Sequence, residues 1–229
     1  MRIPLTKYGM PQVAVYPAVL LVVILLIGWA INKRIIQPLP GTIVEILLLI
    51  VLGWVLSFFR DPPRTIPQDE SLLLSPADGV VRDIEILDGV PEFEGKTLRI
   101  GIFLSIFNVH INRVPCAVRI DSITYKPGEF RDARDPQATT LNESNAVMMT
   151  RLAEPKDRLM VRQVSGAVAR RIVCAAQEGG KLNAGEQYGM IKFGSRTELY
   201  VPMRDSVQTA VSVGQTVRAG ETTLVRYVK

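Results

Sequence analysis

The chain is poor in the side chains that usually carry metal and redox chemistry. Its 229 residues include one histidine, His110, and two cysteines, Cys116 and Cys174. The cysteines stand far apart with no Cys-x-x-Cys spacing, which excludes a disulfide scaffold and argues against a zinc site or a redox pair. A single imidazole leaves no basis for a His-based metal site, and two unpaired thiols suit a reducing compartment. There is no Gly-rich phosphate loop and no basic tract interleaved with aromatics, so neither a nucleotide nor a nucleic acid is implied. Arg151, Arg158, Arg162, Arg170, Arg171 and Arg196 are interspersed with acidic residues. The net charge of +5 is better matched to attraction to an anionic membrane surface. Charge is scarcest at one end. Residues 1–59 hold only Arg2, Lys7, Lys33, Arg34 and Glu45, whereas residues 60–229 carry 23 basic and 21 acidic side chains. At 48% hydrophobic the chain is neither disordered nor collagen-like, and it describes two chemically different objects.

The first object is a hydrophobic anchor. Met10 to Ile31 carries no charge, and residues 13–31 are mostly Val, Leu, Ile and Ala. At about 1.5 Å per residue that run spans ~28 Å as a helix, close to the ~30 Å hydrocarbon core. Pro17 marks either a kink or the first turn. A second run, residues 39–59, contains only Glu45 and ends in Trp54, Phe58 and Phe59, followed by Arg60 and Arg64. Aromatics next to arginines suit a membrane–water boundary. Gly28-Trp29-Ala30 is a weak signal-cleavage pattern, but the first run is too long for a signal core and a second run follows it. A pair of buried or in-plane helices is the other reading, kept open by Glu45 and Pro17. The expectation is a two-helix hairpin, spanning or monotopic, in the inner (cell) membrane. Arg2, Lys7, Arg60 and Arg64 place the larger domain on the cytoplasmic side, a signal diluted by Lys33-Arg34 in the turn.

Beyond residue 60 the pattern changes to alternation. Leu98, Ile100, Ile102 and Leu104 alternate with Thr97, Arg99, Gly101 and Phe103, and Val207, Thr209, Val211 and Val213 form a second such run. Both predict half-buried strands. Turn signals lie between the strands, as in Pro76-Ala77-Asp78-Gly79, Lys126-Pro127-Gly128 and Glu178-Gly179-Gly180. The fold class expected for residues 60–229 is therefore mainly β, a sandwich or barrel. Gly79–Ile84 is faintly echoed by Gly166–Ile172, and Val213–Glu221 is similar to the turn pattern of lipoyl- and biotinyl-type barrel-sandwich domains, without a lysine at the hairpin tip. Residues 128–146 are polar and predict a long loop, either a solvated surface or a functional lid.

Three residues are candidates for chemistry. His110 is the side chain best suited to move a proton near neutral pH, although a lone histidine is more often structural. Asp78, in an Asp-Gly turn, has an ordinary structural explanation. Gly194-Ser195 joins two expected strands and means nothing by itself.

In order along the chain, however, the pieces Phe58-Phe59-Arg60-Asp61-Pro62-Pro63-Arg64, Leu74-Ser75-Pro76-Ala77-Asp78-Gly79, Asn108-Val109-His110-Ile111-Asn112, Asn142-Glu143 and Phe193-Gly194-Ser195-Arg196 resemble the phosphatidylserine decarboxylases. The closest resemblance is to the short bacterial class of these self-cleaving, pyruvoyl-dependent membrane proenzymes. It covers residue 55 or so to the C-terminus, and the two hydrophobic runs fit as well. It implies a duplicated, barrel-sandwich-like catalytic domain behind the helical hairpin. It also implies cleavage between Gly194 and Ser195 into a β chain of residues 1–194 and an α chain of residues 195–229, which stay together as a heterodimer.

The resemblance assigns Ser195 as the nucleophile that attacks the Gly194 carbonyl and then becomes the pyruvoyl group. His110 is the base, and Asp78 orients the imidazole and stabilises its charged form. The pyruvoyl forms a Schiff base with the serine amine of the lipid and takes up the electrons left by departing CO₂, with no metal and no PLP. His110 is also a candidate acid for the protonation that follows. Arg196, Asn142 and Glu143 are candidates for substrate binding. The product is phosphatidylethanolamine, in phospholipid biosynthesis. Three departures limit the transfer. The long class has Gly-Ser-Thr at the cut and a further histidine three positions before the one matching His110, where this chain has Arg196 and Phe107; and the family's Asn-Glu-Arg segment reads Asn142-Glu143-Ser144 here. Alternatives are an archaetidylserine-type lipid decarboxylase, a non-enzymatic membrane-anchored barrel-sandwich adaptor, and a membrane-tethered serine hydrolase using Ser195, His110 and Asp78.

Overall fold

The computed structural model describes residues 5–135, 137–167, 171–192 and 194–228. Phe193 of the Gly-Ser motif, Arg170, Val168 and Ala169 of the sequence echo, and Arg2 lie outside the described residues. The chain divides into two compact units, Met1–Pro62 and Pro63–Lys229.

The first unit is a helical hairpin, α1 (Gln12–Asn32) followed by α2 (Pro38–Phe58). Pro17 sits inside α1, in its second turn rather than its first, and Pro38 opens α2, where a missing N–H costs nothing. The connecting turn places Arg34 in the left-handed region, at φ 58°. Both helices are apolar all round, leave most of that surface exposed, and are long enough to cross a membrane. Glu45 faces α1, its Oε1 3.0 Å from where a Cβ on Gly28 would stand. Trp54, Phe58 and Phe59 form a run of tilted and edge-on rings at the end of α2.

The second unit is mainly β. Its strands are β1 (Leu72–Leu74), β2 (Gly79–Leu87), β3 (Thr97–Leu104), β4 (Ile111–Arg113) and β5 (Val118–Lys126). After a one-turn helix, α3 (Ala138–Leu141), come β6 (Ser144–Arg151), β7 (Arg158–Val164), β8 (Arg171–Cys174), β9 (Lys181–Leu182), β10 (Gln187–Lys192), β11 (Ser195–Pro202), β12 (Val207–Thr209), β13 (Thr216–Val217) and β14 (Thr223–Tyr227). Eight strands form one curled antiparallel sheet in the order β13-β2-β3-β11-β7-β6-β5-β9. Two three-stranded sheets, β1-β14-β12 and β4-β10-β8, complete the unit.

Alternation sorts the faces of the large sheet. The cross-strand row Val147–Val161–Leu199–Ile100–Ile84 runs through the core, and Val201, Ile102 and Val81 share that face. The opposite face carries Arg196, Glu198 and Tyr200 of β11 beside Arg162 and Met160 of β7. Two expectations change. The alternation at residues 207–213 yields a strand only as far as Thr209, because Ala210 pairs with Leu224 and the backbone then turns through Ser212–Gln215, with Gly214 at φ 89°. The polar segment 128–146 is not a loop throughout: it contains α3, and β6 begins at Ser144, because Asn145 and its neighbours find partners across the sheet.

Candidate active site

Strand β10 runs to Lys192 and β11 starts at Ser195. Gly194 has φ 61°, a conformation a residue without Cβ adopts at little cost. Ser195 is fully buried, paired with Leu104 of β3 at the first position of a strand held between β3 and β7. Its Oγ has no hydrogen-bond partner among the described residues. A buried hydroxyl left unpaired costs about 1–3 kcal/mol, and such groups in native folds commonly mark function.

His110, also fully buried, immediately precedes β4. Its Nδ1 lies 2.9 Å from the Asn108 carbonyl oxygen, which can only accept, so Nδ1 carries the proton. The Gly194 N–H donates to Nε2 at 3.3 Å, so Nε2 presents its lone pair. The two contacts together select the neutral imidazole with its basic nitrogen at the Gly194–Ser195 junction. Asn108 is itself fixed, since its N–H donates to the Ser105 carbonyl at 2.9 Å.

The Gly194 carbonyl packs on Gly166. A Cβ on Gly166 would collide with the Gly194 oxygen and stand 3.2 Å from its carbon, with the Ala133 methyl also 3.2 Å away. Ala133, only 3% exposed, comes from the polar segment after β5. Gly166 and Asn108 fall in stretches that stand out in the sequence, but nothing there assigns them or Ala133 to the site: a contact made by a missing side chain and one made by a backbone carbonyl leave no chemical signal in the sequence.

Asp78 is held by Arg64 and by the backbone of Ala219. Arg64 donates to Asp78 Oδ1 at 3.0 Å and to Oδ2 at 2.8 Å, and the Ala219 N–H donates to Oδ1 at 2.8 Å. The carboxylate is thus engaged by a guanidinium, and Nδ1 of His110 lies against a peptide carbonyl. Asp78 reaches the site at one remove. Its turn packs on β4, where the Arg113 N–H donates to the Pro76 carbonyl at 3.0 Å.

Arg196 points away from Ser195 and into a buried ion network. Its Nε donates to Glu198 Oε1 at 2.7 Å and its Nη2 to Asp83 Oδ1 at 2.6 Å. To reach Asp83 the guanidinium crosses β3 over Gly101, where a Cβ would stand 2.6 Å from Arg196 Cζ. Glu198, fully buried, also accepts from Arg162 Nε at 2.8 Å, Tyr200 Oη at 2.8 Å and Thr139 Oγ1 at 3.0 Å. Burial opposes its charge, yet the guanidiniums of Arg162 and Arg196 override that and hold its carboxyl down at about 2.

Asn142 is a brace. Its Nδ2 donates to the Arg131 and Ser165 carbonyls at 2.9 and 2.8 Å, and its Oδ1 accepts from the Arg131 N–H at 3.0 Å. Glu143 accepts from Tyr125 Oη at 3.0 Å through Oε1, and its buried Oε2 has no hydrogen-bond partner among the described residues. The Ser165 N–H donates to the Glu143 carbonyl, continuing the β6–β7 register in which Ser144 faces Val164 and Val164 faces Arg196. Glu143, Ser165 and Ser195 therefore lie in one row on the core face of the sheet. Beneath that row runs a buried polar chain. Asn145 donates to Gln163 at 3.1 Å, Gln163 to Asn112 at 2.9 Å, and Asn112 to Thr197 Oγ1 at 3.0 Å. Fully satisfied networks of this kind rigidify the wall they form.

Residues 51–225 match the family model for phosphatidylserine decarboxylase. The chain belongs to the phosphatidylserine decarboxylase family. It is 42% identical over 182 residues to the phosphatidylserine decarboxylase proenzyme of Desulfotalea psychrophila, covering 80% of this chain and 83% of that one. The Trichlorobacter lovleyi proenzyme of the same name is 40% identical over 199 residues, covering 87% and 86%, and the Rickettsia felis proenzyme 38% over 181 residues, covering 78% and 77%. Within this decarboxylase family, the unpaired Ser195 hydroxyl, the Nε2 of His110 and the seated Gly194 carbonyl converge on the one Gly-Ser bond at the start of β11.

Proposed function

We propose that this protein is a self-processing phosphatidylserine decarboxylase that converts phosphatidylserine to phosphatidylethanolamine and CO₂. The observation that carries the reading is the Ser195 hydroxyl: buried, without a hydrogen-bond partner among the described residues, and one peptide unit from the lone pair of His110. In the cleavage step, His110 Nε2 exchanges the Gly194 N–H for the Ser195 hydroxyl and takes its proton. Oγ attacks the Gly194 carbonyl, the Gly194–Ser195 C–N bond breaks, and the proton passes to the freed Ser195 amine, leaving an ester. Loss of the Ser195 α-proton then breaks the Cβ–Oγ bond and releases a chain ending in the Gly194 carboxylate. The remaining enamine becomes an imine, water adds, and ammonia leaves a pyruvoyl group at the head of the small chain.

The pyruvoyl group supplies a ketone that captures the substrate amine and a conjugated carbonyl that accepts the electron pair when CO₂ departs. What this chain contributes is position. Strand β11 remains hydrogen-bonded to β3 from Ser195 to Pro202, so the 35-residue α chain keeps its place in the sheet as one half of a heterodimer. The Arg196–Asp83 and Arg162–Glu198 pairs cross the cut between the two chains. His110 is then free to donate a proton to the carbanion, and burial of residue 195 favours loss of the carboxylate charge. Glu143 and Ser165, in the row beside residue 195, face the substrate's headgroup; Arg196 and Asn142 act by holding strand and loop. The helical hairpin anchors the enzyme in the cell membrane, with the β unit on the cytoplasmic side.

Intact-mass measurement of the purified protein tests the reading. The expected result is a 194-residue chain and a 35-residue chain whose N-terminus is blocked to Edman chemistry and reactive with borohydride. Ser195→Ala should remain one inactive chain. An uncut chain that releases CO₂ from labelled phosphatidylserine overturns the pyruvoyl mechanism. An uncut chain with serine-dependent hydrolase activity identifies the tethered hydrolase instead, and an uncut, inert chain the adaptor. A preference for archaetidylserine over phosphatidylserine would reassign the lipid.

A further inference from the structure

The turn between β3 and β4 is rigid, apolar and exposed, an unusual combination. Ser105 and Asn108 close it, with the Asn108 N–H donating to the Ser105 carbonyl at 2.9 Å and the Ser105 N–H donating back to Asn108 Oδ1 at 2.9 Å. The Phe107 N–H adds a bond to Ser105 Oγ at 3.4 Å. Turn tips ordinarily carry Gly, Asn, Asp or Ser, which bond locally and meet water well. This tip carries Ile106 and Phe107, and Phe107 at 68% is the most exposed aromatic among the described residues. Nothing in the turn's own hydrogen bonds calls for those side chains.

The tip also stands at the site. The Ile106 Cγ2 methyl lies 3.6 Å from where a Cβ on Gly194 would be, and the next residue, Asn108, holds the imidazole proton. On the segment after β5, whose Ala133 methyl packs beside Gly166, Phe130 and Leu141 are 40% and 38% exposed. A diacyl lipid keeps its acyl chains in the bilayer while its headgroup, only a few atoms long, must reach residue 195, which is fully buried. The rim of such a site has to lie at the bilayer surface, and an aromatic there gains by leaving water for the headgroup region.

We propose that the Ile106–Phe107 turn is a bilayer-insertion tip that seats the mouth of the site in the interfacial region of a phospholipid membrane. The inference rests on the lipid-substrate reading above, but not on self-cleavage. Its rigidity suits the role, since an ordered turn loses little entropy on insertion.

Two measurements on the full chain test it. In the first, Phe107→Trp is combined with Trp29→Phe, Trp54→Phe and Ser195→Ala, so that the only indole is at the tip and no cut is needed. In phosphatidylcholine/phosphatidylglycerol vesicles its emission should be blue-shifted, and acyl-chain bromination of the lipid should quench it at least twofold. Unquenched, water-like emission overturns the proposal. In the second, cut Phe107→Asp should lose ~10-fold or more in kcat/KM on phosphatidylserine in vesicles. On a short-chain phosphatidylserine below its micelle concentration it should stay within twofold of wild type, and Phe107→Leu should restore the vesicle rate. Equal losses on both substrates would place Phe107 in the headgroup pocket, and no loss on vesicles would leave it without a surface role. A changed particle mass in detergent with unchanged vesicle preference would make the tip a contact between copies. Each of these three overturns the proposal. If Phe107→Asp does not cut, the quenching measurement decides alone; a wild-type chain that does not cut refutes the processing reading and leaves this one standing.

Discussion

Replacing Gly166 by alanine isolates the seat of the scissile carbonyl from everything else in the site. Gly166 does not use the left-handed backbone region, so alanine there brings no conformational penalty and acts through its methyl group alone. That methyl would collide with the Gly194 oxygen and lie 3.2 Å from both the Gly194 carbon and the Ala133 methyl, so retreat on the Ala133 side is closed. Restoring an ordinary carbon–oxygen contact moves the carbonyl by roughly 1 Å. A misplacement of about 1 Å from near-attack geometry costs on the order of 10²-fold in rate, equivalent to ~3 kcal/mol of activation free energy. The assay follows conversion of the 229-residue chain to its 194- and 35-residue products after synthesis in a cell-free system, with thermal melting to show that the uncut protein is folded. Gly166→Ala should cut about a hundred times more slowly than wild type. Hydroxylamine, which captures an ester but not an amide, should not hasten it, because the block precedes ester formation. Cutting at the wild-type rate refutes the steric seat. A folded chain that accumulates a hydroxylamine-sensitive bond would place the damage after acyl transfer and refute it equally.

Other expectations follow from the same contacts. Asp78→Ala should slow cutting and lower the melting temperature, and if Asp78 acts through its turn then Arg64→Ala should do the same. A block in Asp78→Ala with normal cutting in Arg64→Ala would mean that the carboxylate serves the imidazole directly. His110→Ala should strongly slow cutting; normal processing in that variant would remove His110 as the base. Glu198→Gln leaves Arg162 without its carboxylate partner and Arg196 with Asp83 alone, and should cost about 3–5 kcal/mol in denaturant unfolding. Because the Glu198 carboxyl is held at about 2, below its ordinary 4.5, its contribution is complete above pH 4.5 and disappears as pH falls through 2. Wild-type melting temperatures should therefore drop steadily across that window, and the slope should be shallower in Glu198→Gln. Gly101→Ala should displace the Arg196 guanidinium from Asp83 and be rescued in part by Arg196→Met; an unchanged melting temperature in Gly101→Ala would show that the passage over β3 is not tight.

What the sequence revealed and what it withheld follow from the range of the forces involved. Alternation at Thr97–Leu104 predicted β3 to the residue, since a strand buried on one face must repeat every second position. The two long apolar runs predicted α1 and α2 because no other element of that length hides its backbone in a membrane. The same logic failed at Val211 and Val213, where a local turn at Gly214 ended pairing although the alternation continued. In the site, residue types that are chemically scarce were legible: one histidine, and one Gly-Ser junction in a recognisable order of motifs. Partnerships were not. Asp78 bonds to Arg64 and Ala219, Arg196 to Asp83, and the imidazole to the carbonyl of Asn108, a group every residue possesses. The seat at Gly166 was invisible for a related reason, because a contact made by the absence of a side chain has no chemical signature in the sequence.

On the proposed cut at Gly194–Ser195, the position of Ser195 also resolves a conflict built into self-cleavage. A bond that is to be attacked should be strained and mobile, but the product needs its new N-terminus held still for substrate. In this fold the two demands fall on opposite sides of one peptide bond. Gly194 lies outside the strand, at positive φ, with its carbonyl pressed on Gly166. Ser195 is already the first residue of β11, paired to β3 and followed at once by Arg196, whose guanidinium is locked between Asp83 and Glu198. The proposed cut frees the first and leaves the second in place. The carbonyl's chain can withdraw while residue 195 keeps its place in the row with Ser165 and Glu143. A precursor that bonded its Ser195 hydroxyl to a group other than the His110 base would be more stable by about 1 kcal/mol but would hold that hydroxyl back from the base, so on the proposed cut the unpaired oxygen is a cost of the proenzyme that ends with the reaction that uses it.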